Sequence, residues 1–238
     1  MRVVDRPSPN HAARPADVAI DTLVLHYTGM ASGAEALERL CDPQAQVSAH
    51  WLVEETGEVV RLVPEERVAW HAGVSAWRGR IGLNARSIGI EVVNGGHDYG
   101  LPGYPEAQLA ALVALARGIV ARWAIPAVNV VAHSDVAPMR KRDPGERFPW
   151  ARLAAAGVGL WPEPGTASPA RSVTAALAAI GYVLDGAPQP TSVTAAVQAF
   201  QRRWLASEPI DGRPAAATLR RLGEVASAHL LARPVRDP

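Results

Sequence analysis

Two histidines end apolar runs in this chain. Thr22-Leu23-Val24-Leu25 leads into His26, and Val130-Val131-Ala132 leads into His133. Behind the second histidine, a loop punctuated by Pro138, Pro144 and Gly145 carries Lys141 and Asp143. In extended backbone, residues i and i+2 point the same way, so Lys141 and Asp143 are expected to face one spot. Parallel or mixed strands lying side by side would bring His26 and His133 together at one edge of a sheet. Two neutral imidazoles and one carboxylate then make a zinc site with three protein ligands. Its fourth position stays open for water, as in hydrolases and unlike closed structural sites.

A zinc ion held by His26, His133 and Asp143 would lower the pKa of its bound water from about 15.7 toward about 7. Attack on an amide needs two further groups, a base and a fixed positive charge beside the developing oxyanion. The run Ser87-Ile88-Gly89-Ile90-Glu91-Val92-Val93-Asn94 reads as a strand with Ile88, Ile90 and Val92 on one face and Gly89, Glu91 and Val93 on the other. A carboxylate inside such a strand is costly to bury unpaired, so Glu91 is expected to be paired or to face a wet cleft, which makes it the candidate base. Gly89 beside it leaves room for something to approach. Lys141 is the candidate for the oxyanion. Taken singly, each of these has a bland reading, and a loop lysine beside an aspartate is usually a solvated pair. The coincidence of all five points to a site.

The elements that must position them are readable in outline. Residues 1 to 20 form a Pro-rich extended arm in which His11 is expected to be solvated or locally capped. A turn at Tyr27-Thr28-Gly29-Met30 precedes a short helix from about Ser32 to Cys41, and Ser48 to Val63 alternates as two strands around a turn at Glu55 to Gly57. His50 on that hairpin could line a cleft or be a hydrogen-bonded core histidine, and stays outside the metal set. The long loop after Ala69-Trp70-His71-Ala72-Gly73, running through Trp77, Arg80 and Asn84, is longer than a bare connection needs, and Trp70 and Trp77 are expected to line the cleft. Glu106 to Trp123 has apolar residues at helical spacing behind Pro105 and is a packing helix. Pro149 to Leu153 starts a helix that closes the first domain, residues 1–156. Residues 157–170 read as a linker, and residues 171–238 as a small three-helix domain in which His229 is expected at the surface. The fold class is therefore α/β, a mixed central sheet flanked by helices, followed by that helical domain.

The 238 residues carry a formal net charge of +1, which argues against nucleic acid or an anionic membrane as a partner held by bulk charge. Cys41 is the only cysteine, so no intrachain disulfide and no thiolate metal cluster can form. Met1 to Pro7 lack the pattern of a secretory signal, and no apolar run reaches membrane-spanning length. If Met1 is the native start, a cytoplasmic location is expected, with a periplasmic one as the alternative.

Leu25-His26-Tyr27-Thr28, Ala69-Trp70-His71-Ala72-Gly73, Ser87 to Glu91, Ala132-His133-Ser134-Asp135-Val136-Ala137-Pro138 and Lys141-Arg142-Asp143-Pro144-Gly145 together resemble the zinc-dependent N-acetylmuramoyl-L-alanine amidases, which share their fold with peptidoglycan recognition proteins and certain phage lysozymes. The resemblance implies Zn2+ at His26, His133 and Asp143, catalytic help from Glu91 and Lys141, and cleavage between N-acetylmuramic acid and L-alanine in peptidoglycan fragments. It also implies a substrate cleft, for which Tyr27, Trp70, His71, Arg80, Arg86 and Asn94 are the candidates. Members with aspartate as third ligand include cytoplasmic recycling enzymes acting on anhydro-muropeptides and an outer-membrane relative. The C-terminal region resembles a three-helix peptidoglycan-binding domain through Ala196-Val197-Gln198-Ala199-Phe200-Gln201 and Asp211-Gly212, with Ala187-Pro188-Gln189-Pro190 where glycine and threonine are usual. Its two-domain layout is similar to the outer-membrane relative, and its start to the recycling enzymes. A periplasmic or outer-membrane amidase acting on polymeric peptidoglycan, a non-catalytic muropeptide-binding module and a zinc peptidase cutting within the stem peptide are the competing readings.

Overall fold

A computed structural model describes residues 2–185 and 191–232. The N-terminal part contains strands β1 (Val3–Asp5), β2 (His11–Ala13), β3 (Thr22–Tyr27), β4 (Trp51–Val53), β5 (Val59–Arg61), β6 (Arg67–Ala69), β7 (Ala76–Trp77), β8 (Arg80–Ile81), β9 (Ser87–Val92) and β10 (Val130–Ala132). Its helices are α1 (Gly33–Cys41), α2 (Glu106–Trp123), the single turn α3 (His133–Val136) and α4 (Trp150–Ala155). Three more follow, α5 (Val173–Ile180), α6 (Val193–Trp204) and α7 (Ala216–Leu231). Among the described residues no helix is long and apolar enough to cross a membrane.

One mixed six-stranded sheet runs β1-β5-β4-β9-β3-β10. β3 lies between β9 and β10 and is parallel to both. Alternation decides its two faces. Leu23, Leu25, Ile88, Ile90, Val92, Val130 and Ala132 turn to one side and pack under Leu109, Leu112, Ala116 and Ile119 of α2. That spacing is why Glu106–Trp123 is helical, and Ala124 at φ 50° ends it. On the other face, Val24 and Val131 join Trp77, Leu177, Ile180, Phe200 and Leu222 in a second core that is shared with α5 to α7. Ser32 caps α1 by accepting the Glu35 N–H at 3.2 Å, a contact worth about 1 kcal/mol.

Several expectations need correction. The N-terminal arm is not merely extended: β1 pairs in parallel with β5, and β2 pairs antiparallel with β6. Strands of three residues carry too little periodicity to be read. Arg14 in this arm donates to the carbonyls of Ala85, Glu65, Arg67 and Ser87, which pins the arm to the sheet. Trp77 does not line the cleft; it is buried beneath Tyr182 at a ring distance of 5.3 Å. His229 is buried beside Trp204 rather than at the surface. Trp161, in the stretch read as a linker, stacks on Trp204 at 5.1 Å, and Gly165 N–H donates to Glu224, so this stretch is strapped to the helices. Ala187 to Pro190 lie outside the described residues.

Candidate metal centre and the cleft around it

The sheet register assembles the site. His26 is paired with Glu91 across β3 and β9, and Ala132 is paired with Leu25, which puts His133 beside His26 where β10 ends. His133 opens α3, and the Ser134 N–H donates to the Asp143 carbonyl at 3.0 Å, so one turn fixes the backbone of both later ligand candidates. The result is a buried triad. His26 Nδ1 and His133 Nδ1 lie 2.9 Å apart, and each is 3.0 Å from Asp143 Oδ2.

The hydrogen bonds behind the triad decide which atoms carry protons. Ser87 Oγ donates its hydrogen to the Leu83 carbonyl at 2.7 Å, so at His71 Nε2, 3.1 Å away, it acts as acceptor. A neutral imidazole has one donor nitrogen, so His71 Nδ1 is a bare lone pair that accepts from His26 Nε2 at 3.0 Å. His26 Nδ1 is bare in turn. On the other side, His133 Nε2 donates to the Ala72 carbonyl at 3.2 Å and leaves its own Nδ1 bare. Two lone pairs and a carboxylate oxygen thus converge with no proton assigned between them. A cation resolves that arrangement, and the three residues form a group able to hold a metal ion. Tetrahedral bonds of about 2.0–2.1 Å set ligand atoms about 3.3 Å apart, so the triad needs to open only slightly to accept the ion.

Electrostatics favour the same state. Burial, then the neighbouring His133, brings His26 down to about 4, and burial holds His71 well below its ordinary value, so both rings are neutral at neutral pH. Burial alone would raise Asp143, but the adjacent histidines outweigh it and keep the carboxyl ionised below its usual range. Glu91 behaves in the opposite way. Burial, and after it the charge of Asp143, push it well above the carboxylate range, with Lys141 pulling back. Its Oε2 has no hydrogen-bond partner among the described residues.

These groups open onto a cavity of about 390 Å³ lined by His26, Tyr27, Trp70, His71, Glu91, His133, Lys141 and Asp143 among others. The Tyr27 hydroxyl meets His97 Nδ1 at 3.0 Å, and His97 Nε2 meets Glu146 at 3.0 Å. Of the cleft candidates, Tyr27, Trp70 and His71 are at the cavity, although His71 sits behind His26 as its support. A Cβ at position 89 would come within 2.5 Å of the His71 ring, so what approaches Gly89 is this histidine. Three candidates are elsewhere. Arg80 is exposed on β8. Arg86 precedes the far end of β9 and donates through Nε to Asp21 at 2.9 Å. Asn94 is buried and spent on the Pro102 carbonyl and the Gly96 N–H, both at 2.9 Å, which shapes the next loop. His50 is a core histidine: its Nδ1 accepts the Gly89 N–H at 2.9 Å and its Nε2 meets the Arg67 carbonyl at 3.1 Å. Sequence reasoning missed Ser87, and missed Asn84, whose Oδ1 accepts the Ala72 N–H at 2.7 Å and so fixes the carbonyl that anchors His133. Neither has a local signal, because the partners that matter, His71 and Ala72, lie 16 and 12 residues away.

His71→Ala removes the acceptor that orients His26. Affinity for a divalent metal, measured with zinc against a competing chelator, is expected to fall about 10- to 100-fold. Unchanged affinity would make the His71 relay mere packing.

Comparison with known proteins agrees with this geometry. Residues 16–146 match the family model described as N-acetylmuramoyl-L-alanine amidase. The chain is 40% identical over 214 residues to N-acetylmuramoyl-L-alanine amidase AmiD of Escherichia coli, an alignment covering 79% of this chain and 76% of that protein. It is 39% identical over 166 residues to the 1,6-anhydro-N-acetylmuramyl-L-alanine amidase AmpD of Enterobacter cloacae, covering 63% of this chain and 87% of the relative. The structure superposes with TM-score 0.76 and 36% identity, over 92% of both chains, on E. coli AmiD in complex with the substrate anhydro-N-acetylmuramic acid-L-Ala-D-γ-Glu-L-Lys. With a triad able to hold a metal ion, its mixed sheet and these similarities together, the chain belongs to the N-acetylmuramoyl-L-alanine amidase family.

Proposed function

We propose that this protein is a zinc hydrolase that cleaves the amide between N-acetylmuramic acid, in its 1,6-anhydro form, and the L-alanine of the stem peptide, in cell-wall recycling. The observation that carries the reading is the convergence of His26 Nδ1, His133 Nδ1 and Asp143 Oδ2 on one spot, beside the orphaned Oε2 of Glu91, at an open cavity. The donor set supports zinc, which takes nitrogen and carboxylate ligands in this ratio and leaves a position for water. The substrate class rests on the similarity to enzymes named for anhydro-muropeptides.

Zinc bound there would supply Lewis acidity toward the amide carbonyl and would lower the pKa of a coordinated water to about 7. The chain's residues do the rest. His26, His133 and Asp143 hold the ion. Glu91 shares a sheet face with His26, takes the proton of the attacking water and delivers it to the departing L-alanine nitrogen. Its raised proton affinity suits both steps, since an ordinary carboxylate would be too weak a base near neutral pH. Lys141, on the same cavity wall as Asp143, places its ammonium against the negative charge that develops on the carbonyl oxygen. Tyr27 and Trp70 offer aromatic surface to the sugar and peptide.

Mass spectrometry of the products from a soluble anhydro-muropeptide tests this directly. Intact stem peptide and anhydro-N-acetylmuramic acid are expected; cuts between amino acids would make the protein a peptidase, and unaltered substrate would make it a binding module.

A further inference from the structure

The buried ion pair between Arg203 and Asp135 is not accounted for by the hydrolysis itself. Asp135 is 1% exposed and lies two residues after the ligand candidate His133. Its carboxylate accepts three hydrogen bonds, from the Ala132 N–H at 2.9 Å, the Tyr182 hydroxyl at 2.7 Å and Arg203 Nη1 at 2.5 Å. The first of these holds the backbone at Ala132, the residue before His133. The other two come from the C-terminal module, from Tyr182 just past α5 and from Arg203 on α6. Arg203 also donates through Nη2 to the Val130 carbonyl at 3.0 Å, on the strand that delivers His133. Its guanidinium is itself immobilised between two indoles, 4.0 Å from the Trp150 ring centre and 4.5 Å from that of Trp204.

Arg203 therefore grips the β10-to-α3 junction at two points from a helix outside the sheet. The same junction ties down the third ligand candidate, through Ser134 N–H to the Asp143 carbonyl. On the adjacent position of α6, Arg202 Nε stands 3.7 Å from Glu146, whose carboxylate anchors His97 and through it the Tyr27 hydroxyl at the cleft wall. One helix thus reaches both sides of the site. A module kept only to bind glycan would need none of this. Packing alone would be served by apolar residues, because a buried ion pair contributes little net stability over a hydrophobic replacement.

We propose that the C-terminal helical module is a structural part of the metal centre, with Arg203 and Tyr182 as positioning residues that set the geometry of His133 through Asp135. The proposal rests on the metal reading given above, and its test separates the two. The full-length chain is stripped of metal and titrated with zinc against a chelator, as wild type and as Arg203→Met, Arg203→Lys, Tyr182→Phe and Val225→Ala. Val225 on α7 is buried in the same core and supplies none of the three bonds to Asp135, so its truncation is the control for stability lost by packing alone. Arg203→Met is expected to bind zinc about 10- to 100-fold more weakly. Arg203→Lys should recover part of the loss, Tyr182→Phe should lose several-fold, and Val225→Ala should bind as wild type does. Arg203→Met decides the matter if it folds, and Tyr182→Phe decides it otherwise. Wild-type affinity in the deciding variant, or an equal loss in Val225→Ala, overturns the proposal. Failure of the wild type to bind zinc overturns the metal reading itself.

Discussion

Replacing Glu91 by glutamine is expected to slow hydrolysis of an anhydro-muropeptide by about 10²- to 10⁴-fold while zinc stays bound and the metal-free protein melts at a higher temperature near neutral pH. The first effect follows from the loss of a carboxylate that pairs with His26 across the sheet and lines the cavity, in a position to move a proton. Zinc is retained because Glu91 is not among the three converging ligand atoms. The gain in stability follows from linkage. In the folded, metal-free chain, burial and the Asp143 charge raise the Glu91 pKa above its unfolded value. A group shifted that way contributes stability that is present below its unfolded pKa and lost as pH rises through the folded one. Glutamine, isosteric and uncharged, is free of that loss. The melting-temperature difference should therefore be largest at neutral pH and above, and should shrink as pH falls toward the ordinary carboxylate range. Thermal melts of both proteins across pH, beside single-turnover rates, check the pair of effects. Undiminished turnover removes Glu91 from the chemistry, and a lower melting temperature at every pH would mean its carboxylate is not strained where it sits.

Asp143→Ala is expected to weaken zinc binding by about 10²- to 10³-fold or more and to abolish hydrolysis. Asp143 supplies the only negative charge in the triad, and its Oδ2 is 3.0 Å from both bare Nδ1 atoms. Structural zinc in four-ligand sites is worth about 10–16 kcal/mol, or roughly 2.5–4 kcal/mol for each ligand, so losing one costs about 10²- to 10³-fold in affinity. Removing the anion also leaves two neutral imidazoles to carry a dication in a buried site, which adds to the loss. Folding should survive, since the loop stays tied through main-chain bonds such as Ser134 N–H to the residue 143 carbonyl. Metal analysis after dialysis, with circular dichroism as the check on folding, measures this. A folded variant that keeps one zinc per chain would place the ion elsewhere.

Much of the site could be read before any coordinates. His26 and His133 each follow an apolar run, and Glu91 interrupts one, so strand periodicity alone put two of the five key side chains on sheet strands and a third, His133, directly after one. Parallel pairing of β3 with β9 and β10 then left nothing else for the register to do. The helix Glu106–Trp123 was legible for the same reason, one strong period. What stayed hidden depends on partners distant in the chain. His71 carries no mark that distinguishes a cleft residue from a support for His26; only the space left by Gly89 and the hydroxyl of Ser87 decides it. Arg86 looks like a free cation until Asp21 is beside it. Trp77 looks like a sugar platform until Tyr182, more than a hundred residues on, covers it. The importance of Asp135 is invisible without Arg203, since an acidic residue in a first helical turn is ordinarily explained by its own helix.

The most direct test of the account is the position of the metal in the active protein. Anomalous scattering at the zinc edge, from crystals of protein with measured activity, is expected to show one peak per chain, roughly 2.0–2.2 Å from His26 Nδ1, His133 Nδ1 and Asp143 Oδ2. A peak held by other residues, or active protein with none at all, would contradict it.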